Sequence, residues 1–218
     1  DAPDATQGCF VAGDVGTMRR ASALVSGPGQ PALPVALITT PAEAWDVPPQ
    51  CIPVLQITEL LAPIPYGQIS SLAGRVAADC VLWASRAALR GELAALVTAP
   101  LHKEALAAAG LPYPGHTELL QFEAAAHMGK TLQEVPVRMM LANDELRTVL
   151  VSIHLSLRQA IEAVTFDNVL QTLRITHRAV GAALGRAPRI GVAGLNPHAG
   201  EGGLFGREEI DTIIPALQ

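Results

Sequence analysis

Four of the six histidines stand where the chain passes from one element to the next, and an imidazole at such a junction can hold a metal or move a proton. His198 lies in Gly194-Leu-Asn-Pro-His-Ala-Gly-Glu-Gly-Gly203, a loop with four glycines. Glycine lets backbone N–H groups approach an anion, and an imidazole among them can bind a metal. The loop matches neither common phosphate motif. No Lys-Ser/Thr pair follows, and Gly200-x-Gly202-Gly203-x-x-Gly206 breaks the dinucleotide spacing. His154 closes the apolar run Val149–Ile153 just before a helix start. His102-Lys103 opens a helix after the apolar run Ala95–Thr98, and a first-turn lysine opposes the helix dipole, so an anionic ligand would account for it. His116-Thr117 follows Pro114-Gly115 at another helix start, where Thr117 can be an ordinary N-cap. Singly, each is as readily structural as functional; together the four favour a shared site. His127, just before Gly129-Lys130, suits a helix C-terminus, and His177 falls on the stripe Leu170, Leu173, His177, Val180, Leu184. Both read as structural, His177 as a packed or interface histidine.

The elements that must position these groups follow from periodicity and punctuation. Asp1–Gly8 is polar and expected to fray. Strands are predicted at Cys9–Ala12, Val35–Ile38 and Ile52–Leu55, the last at an edge because of Pro53. Residues 27–34 form a loop. Further strands are expected at Ala95–Thr98, Val137–Leu141, Val149–Val151 and Arg189–Ala193. Helices are predicted from about Val15, over Ser70–Arg90, after the Ser156-x-x-Gln159 capping box, from Asp167 to Leu184, and from Gly206 with carboxylates in its first turn. In the 70–90 helix, Val76, Cys80, Trp83 and Ala87 form the buried stripe and Arg75, Asp79, Arg86 and Arg90 the polar one. Alternating strands and helices predict a three-layer α/β sheet, with 136–153 as an antiparallel insertion. Ligands bind such sheets at glycine-rich turns beyond the strand ends.

Composition narrows the class. The 218 residues suffice for one large domain or two small ones. With 15 basic against 20 acidic residues the net charge is −5, which argues against a nucleic-acid binder. Cys9, Cys51 and Cys80 lack metal-type spacing and fit a reducing compartment. No signal peptide opens the sequence, and no apolar run reaches the roughly 18–20 residues of a membrane span. The expectation is a soluble cytoplasmic protein with no membrane partner.

Thr98-Ala-Pro-Leu-His-Lys103, Pro114-Gly-His-Thr-Glu118, Met140-Leu-Ala-Asn-Asp-Glu-Leu-Arg147, His154-Leu-Ser-Leu-Arg158, the 195–203 loop and Glu208-Glu-Ile-Asp-Thr-Ile-Ile-Pro215 occur in one order. In that order they resemble the 4-hydroxythreonine-4-phosphate dehydrogenase family of pyridoxal phosphate biosynthesis. The resemblance implies a fold of the isocitrate/isopropylmalate dehydrogenase type, with 1–218 forming parts of two α/β subdomains flanking a cleft. It implies a homodimer that oxidises and decarboxylates 4-phosphooxy-L-threonine, a small phosphorylated hydroxy amino acid, with NAD or NADP. It further implies one divalent ion (Zn, Mg, Co or Mn) on His154 and His198 as two of three histidine ligands, and phosphate contacts from His116 and Thr117. Lys103 is a suitable further anchor for the phosphate. The family's opening Gly-Asp-Pro-Ala-Gly-Ile-Gly motif and its C-terminal His-Asp-Gln motif are absent here, and 121–135 is longer than usual. The N- and C-terminal parts of the family fold are therefore expected to be missing, which leaves a catalytically incomplete fragment as one reading. A sister dehydrogenase for threonate or erythronate phosphate would carry the same motifs. A zinc hydrolase would need a general base, and no His-Glu-x-x-His helix supplies one.

Overall fold

Three short apolar runs near the start of the chain pair into a parallel sheet: β1 (Val11–Gly13), β2 (Val35–Ile38) and β3 (Ile52–Gln56), in the order β1-β3-β2. The computed structural model describes residues 6–27, 29–60 and 62–218, in two compact units, 1–135 and 136–218. The expected fraying of the first five residues lies outside the described residues. β3 is the central strand, not the edge that Pro53 predicts. Consecutive N–H groups of a parallel strand point to alternate neighbours. Ile52 donates to the Pro34 carbonyl beside β2, and Ile57 to the Gly13 carbonyl of β1. Pro53 therefore turns its missing N–H toward β1, one position before that ladder begins at Val11 opposite Val54. No ladder bond is lost.

Helix α1 (Val15–Val25) starts where Asp14 accepts the Thr17 N–H at 2.6 Å. Gln56, at the tip of β3, donates to Asp14 at 2.9 Å and accepts the Val15 N–H, so strand end and helix start are one hydrogen-bonded unit. Ile38, Ala44 and Leu55 form a core cluster, over which Phe10 and Trp83 meet edge to face at 6.1 Å. Trp83 comes from α2 (Ser71–Leu89), within the predicted Ser70–Arg90 and capped by Ser70. Val76 and Ala87 are buried as expected, but Cys80 and Trp83 are only half-buried, and Ala78, Val81 and Ala84 carry the rest of the buried face. Small residues let other helices approach closely there.

Two helices use that approach. Helices α3 (Lys103–Ala108) and α4 (His116–Met128) both pack on α2, burying Leu106 and Leu119. Arg86 of α2 grips Glu123 of α4 through two bonds of 2.7 and 3.0 Å. The Glu123 side chain is 7% exposed and the Arg86 side chain 57%, so the pair is half solvated. Gly129 ends α4 in the left-handed conformation. Ala95–Thr98 forms no strand, contrary to expectation, and Val97 is 93% exposed. An apolar run becomes a strand only where a neighbour satisfies its N–H and C=O groups, and no described residue pairs with this one.

In residues 136–218 the expected antiparallel insertion is present, shortened to β4 (Met140–Ala142) and β5 (Arg147–Val149), with Met140 opposite Val149. The capping box of Ser156 and Gln159 starts α5 (Leu157–Glu162), and Thr165 caps α6 (Phe166–Leu184). Arg138 fastens the hairpin to α6 by donating to Thr172, Asn168 and Gln171 at 2.6–2.7 Å. The buried positions of α6 are Val169 and Thr172; His177 is exposed rather than packed. Arg189–Ala193 also forms no strand and is largely exposed, for the same want of a partner. The chain ends in a π-helical stretch, Glu209–Ile213, continuing into α7 (Ile214–Leu217). Among the described residues no helix is long and apolar enough to cross a membrane.

Candidate functional site

His198 sits on backbone that few residues accept. In the turn Pro197–Gly203, His198 (φ 52°), Ala199 (51°), Gly200 (81°), Glu201 (45°) and Gly202 (66°) are all left-handed. Three of these five carry side chains, and each costs on the order of 1–2 kcal/mol over an ordinary conformation. His154 is left-handed too, at φ 57°. Among the described residues only five non-glycines have positive φ, and His154 and His198 are two of them. Strain of this kind persists where surrounding bonds over-determine it, and it gathers at functional sites.

The bonds at the His198 turn come from the start of the last helix. Glu209 is 5% exposed. Its Oε1 accepts the Leu195 and Asn196 backbone N–H groups, both at 2.7 Å, and its Oε2 accepts the Asn196 amide at 2.9 Å. Glu208 takes the same amide at 2.6 Å. A side chain at Gly200 would lie 2.9 Å from the Glu209 carboxylate and 2.7 Å from the Gly206 carbonyl, so only glycine admits this packing. The Phe205 ring lies tilted beside the His198 ring, 6.2 Å between centroids. The asparagine side-chain and backbone donors hold the Glu209 carboxyl down to about 2, and the Glu208 carboxyl is lowered by the same asparagine. A carboxyl lowered on folding stabilises above its unfolded value near 4.5 and loses that contribution as pH falls toward 2. Wild type is therefore expected to loosen at the 195–202 amides across that window. A Glu209→Gln chain should show no such step there in pH-dependent hydrogen exchange.

The segments around both histidines border one apolar cavity of about 280 Å³. Leu150–Ser152 and Leu157, either side of His154, and Ala193–Leu195, preceding His198, are in its wall. Both histidines are exposed. Among the described residues no group of three or more His, Cys, Asp or Glu has the spacing of a metal cage.

The phosphate candidates lie in residues 1–135. Gly115, not Thr117, is the N-cap of α4, and no side chain caps it. Thr117 is the second residue of the helix and half-buried, so the first-turn N–H groups have no side-chain acceptor. That is the arrangement in which a helix N-terminus takes an anion. His116 Nε2 is the one buried side-chain polar atom without a hydrogen-bond partner among the described residues. Buried polar atoms are almost always paired, so this one points to a missing partner. His102 and Lys103, N-cap and first residue of α3, are both exposed. His127 is exposed in the last turn of α4. Sequence reasoning missed Asn196 and Glu209; the available signal was an asparagine two residues before the loop histidine and a Glu-Glu pair at the next helix start.

Comparison with known proteins gives this geometry a context. The model of the family described as pyridoxal phosphate biosynthetic protein PdxA matches residues 5–218. A 4-hydroxythreonine-4-phosphate dehydrogenase of Trichlorobacter lovleyi is 43% identical over 210 residues, 95% of this chain and 59% of that protein. One from Beijerinckia indica is 51% identical over 158 residues, 72% of this chain and 44% of its own length. The chain thus spans about half the length of the curated relatives it matches. The crystal structure of the Klebsiella pneumoniae 4-hydroxythreonine-4-phosphate dehydrogenase superposes with a TM-score of 0.80 at 36% identity, covering 97% of this chain and 61% of that one. A terephthalate 1,2-cis-dihydrodiol dehydrogenase from Burkholderia xenovorans is more distant, with a TM-score of 0.54 and 28% identity over 95% of this chain and 59% of that one. The mixed α/β fold is that of these dehydrogenases, and the chain belongs to the PdxA family of pyridoxal phosphate biosynthetic proteins.

Proposed function

We propose that the chain carries metal-binding and phosphate-binding parts of an NAD- or NADP-dependent 4-hydroxythreonine-4-phosphate dehydrogenase. The fold is that of a three-layer isocitrate/isopropylmalate dehydrogenase-like enzyme, acting in the cytoplasm as a homodimer. The observation that carries the reading is the left-handed backbone at both His154 and His198, on segments that border the same cavity. Strain at the two imidazoles that the family resemblance implies as ligands is hard to assign to packing, since both side chains are exposed.

The substrate is 4-phosphooxy-L-threonine. The reaction would oxidise its hydroxyl-bearing carbon and release carbon dioxide from the β-keto acid, with a nicotinamide cofactor, when bound, supplying the hydride acceptor. A divalent ion, when bound, lowers the hydroxyl's pKa and polarises the new carbonyl as a Lewis acid. His154 and His198 are the residues that would hold it, and among Zn, Co, Mn and Mg neutral imidazole nitrogens favour Zn or Co over the harder Mn and Mg. Thr117 and the open N–H groups of α4 bind the phosphate, His116 turns its unpaired Nε2 to the ligand, and Lys103 adds positive charge. Remote phosphate binding holds the reacting carbon in place.

Replacing Thr117 by alanine removes one hydroxyl contact and leaves the helix intact. A loss of about 1–2 kcal/mol of transition-state binding is expected, roughly a tenfold fall in kcat/KM shared between a higher KM and a lower kcat. Steady-state kinetics with 4-phosphooxy-L-threonine check it, and unaltered KM and kcat would remove Thr117 from the phosphate site.

A further inference from the structure

The entrance to the turn that carries His198 is anchored from outside it. Backbone bonds at its ends run from Ala199 to Asn196, from Leu204 to Glu201 and Gly200, and from Phe205 to Gly200. They close short loops and leave the N–H groups leading into the turn, at Leu195 and Asn196, to be met from outside. Glu209 meets both with one oxygen and the Asn196 side chain with the other, reaching back 13 and 14 residues from the next helix. The carboxylate is nearly buried and makes no ion pair among the described residues. Burying a charge without a counter-charge is unfavourable unless its hydrogen bonds are complete, and here three donors complete them. Gly194 and Gly200 both border the carboxylate, where a Cβ would stand 3.2 and 2.9 Å from its oxygens. The groove is cut to this side chain.

We propose that Glu209 is the positioning residue for His198, fixing the left-handed turn through Leu195 and Asn196 so that the imidazole is held ready for the metal. The assignment rests on the reading of His198 as a ligand. Glutamine at 209 keeps an oxygen for the two backbone donors but turns an NH₂ group toward the Asn196 amide, donor against donor. The turn then loses its fixed form while helix and core remain.

The test compares wild type, Glu209→Gln and His198→Ala by two readouts: Co²⁺ titration followed by its visible absorption, and hydrogen exchange at amides 195–206. Glu209→Gln is expected to keep its far-UV circular dichroism, exchange at least tenfold faster over 195–202, and bind Co²⁺ roughly 10–100-fold more weakly, the range seen when a residue behind a ligand is lost. His198→Ala should lose Co²⁺ while exchange at Leu195 and Asn196 stays as in wild type. Unchanged exchange in Glu209→Gln overturns the proposal, and so does faster exchange with unchanged Co²⁺ affinity. If His198→Ala binds Co²⁺ as wild type does, the metal reading has failed, and exchange alone decides whether Glu209 fixes the turn. Should Glu209→Gln not fold, Glu209→Asp keeps the charge but withdraws the oxygens, and the same two readouts are expected to move in the same direction.

Discussion

Alanine at His198 or at His154 is expected to weaken divalent-metal binding about a hundredfold or more, and NAD(P)-dependent turnover of 4-phosphooxy-L-threonine should fall with it. Losing a hydrogen-bond partner behind a ligand already costs roughly 10–100-fold, and loss of the ligand itself should exceed that. Titration calorimetry with Zn²⁺ or Co²⁺ measures the first effect and steady-state kinetics the second. His177→Ala, on the exposed side of α6, should leave both unchanged. Glycine variants separate strain from ligation. Both histidines are left-handed, where glycine is at ease. His198→Gly should therefore be more stable than His198→Ala by about 1 kcal/mol while binding metal no better. A gain in stability with a loss of metal is the signature of strain kept for function. Equal metal affinity in wild type and both alanine variants would remove the two histidines from the site.

Local sequence signals located most elements that are held by local chemistry. Ser156 with Gln159 marks its helix because a side-chain oxygen three residues before a free N–H caps it wherever the rest of the chain lies, as Ser70 and Thr165 also do at the starts of α2 and α6. β2 was legible in full, and the 136–153 insertion was legible in kind though not in length. Ala95–Thr98 and Arg189–Ala193 were not. Their apolar runs look the same as β2, but a strand is a pair, and no described residue lies beside either one. Pro53 misled for a related reason: whether a missing N–H matters depends on which neighbour it faces and where that ladder starts. At the candidate site the histidines were legible and their support was not. A glutamate in a first helical turn reads as a dipole partner. Only the fold brings Glu209 to N–H groups 13 and 14 residues earlier, and nothing in the letters His198-Ala199 announces positive φ.

Gly74→Ala and Gly181→Ala should move stability in opposite directions, although both sites lie in the interior of 19-residue helices. Intrinsic propensity favours alanine over glycine by about 1 kcal/mol at either position. At Gly181 the new methyl would meet Pro188 and the Arg186 carbonyl at 3.5 and 3.6 Å, ordinary contact distances, so the propensity gain should appear nearly whole. At Gly74 the methyl would overlap the Ala105 backbone carbonyl of α3. A flexible side chain could swing away, but a helix backbone must shift as a body. Overpacking costs about 1–3 kcal/mol in general, and a rigid backbone neighbour puts this case toward the upper end, enough to outweigh the propensity gain. Net destabilisation of about 1–2 kcal/mol is therefore expected for Gly74→Ala. Ala105 and Leu106, buried against α2, would move with α3 and carry Lys103 away from its place at the head of that helix. Thermal unfolding of the two variants reads the sign of each effect. Substrate KM reads the displacement of Lys103, which should raise it in Gly74→Ala and leave it alone in Gly181→Ala. If Gly74→Ala proves as stabilising as Gly181→Ala, α2 and α3 do not approach as closely as described, and α2 does not set the position of Lys103.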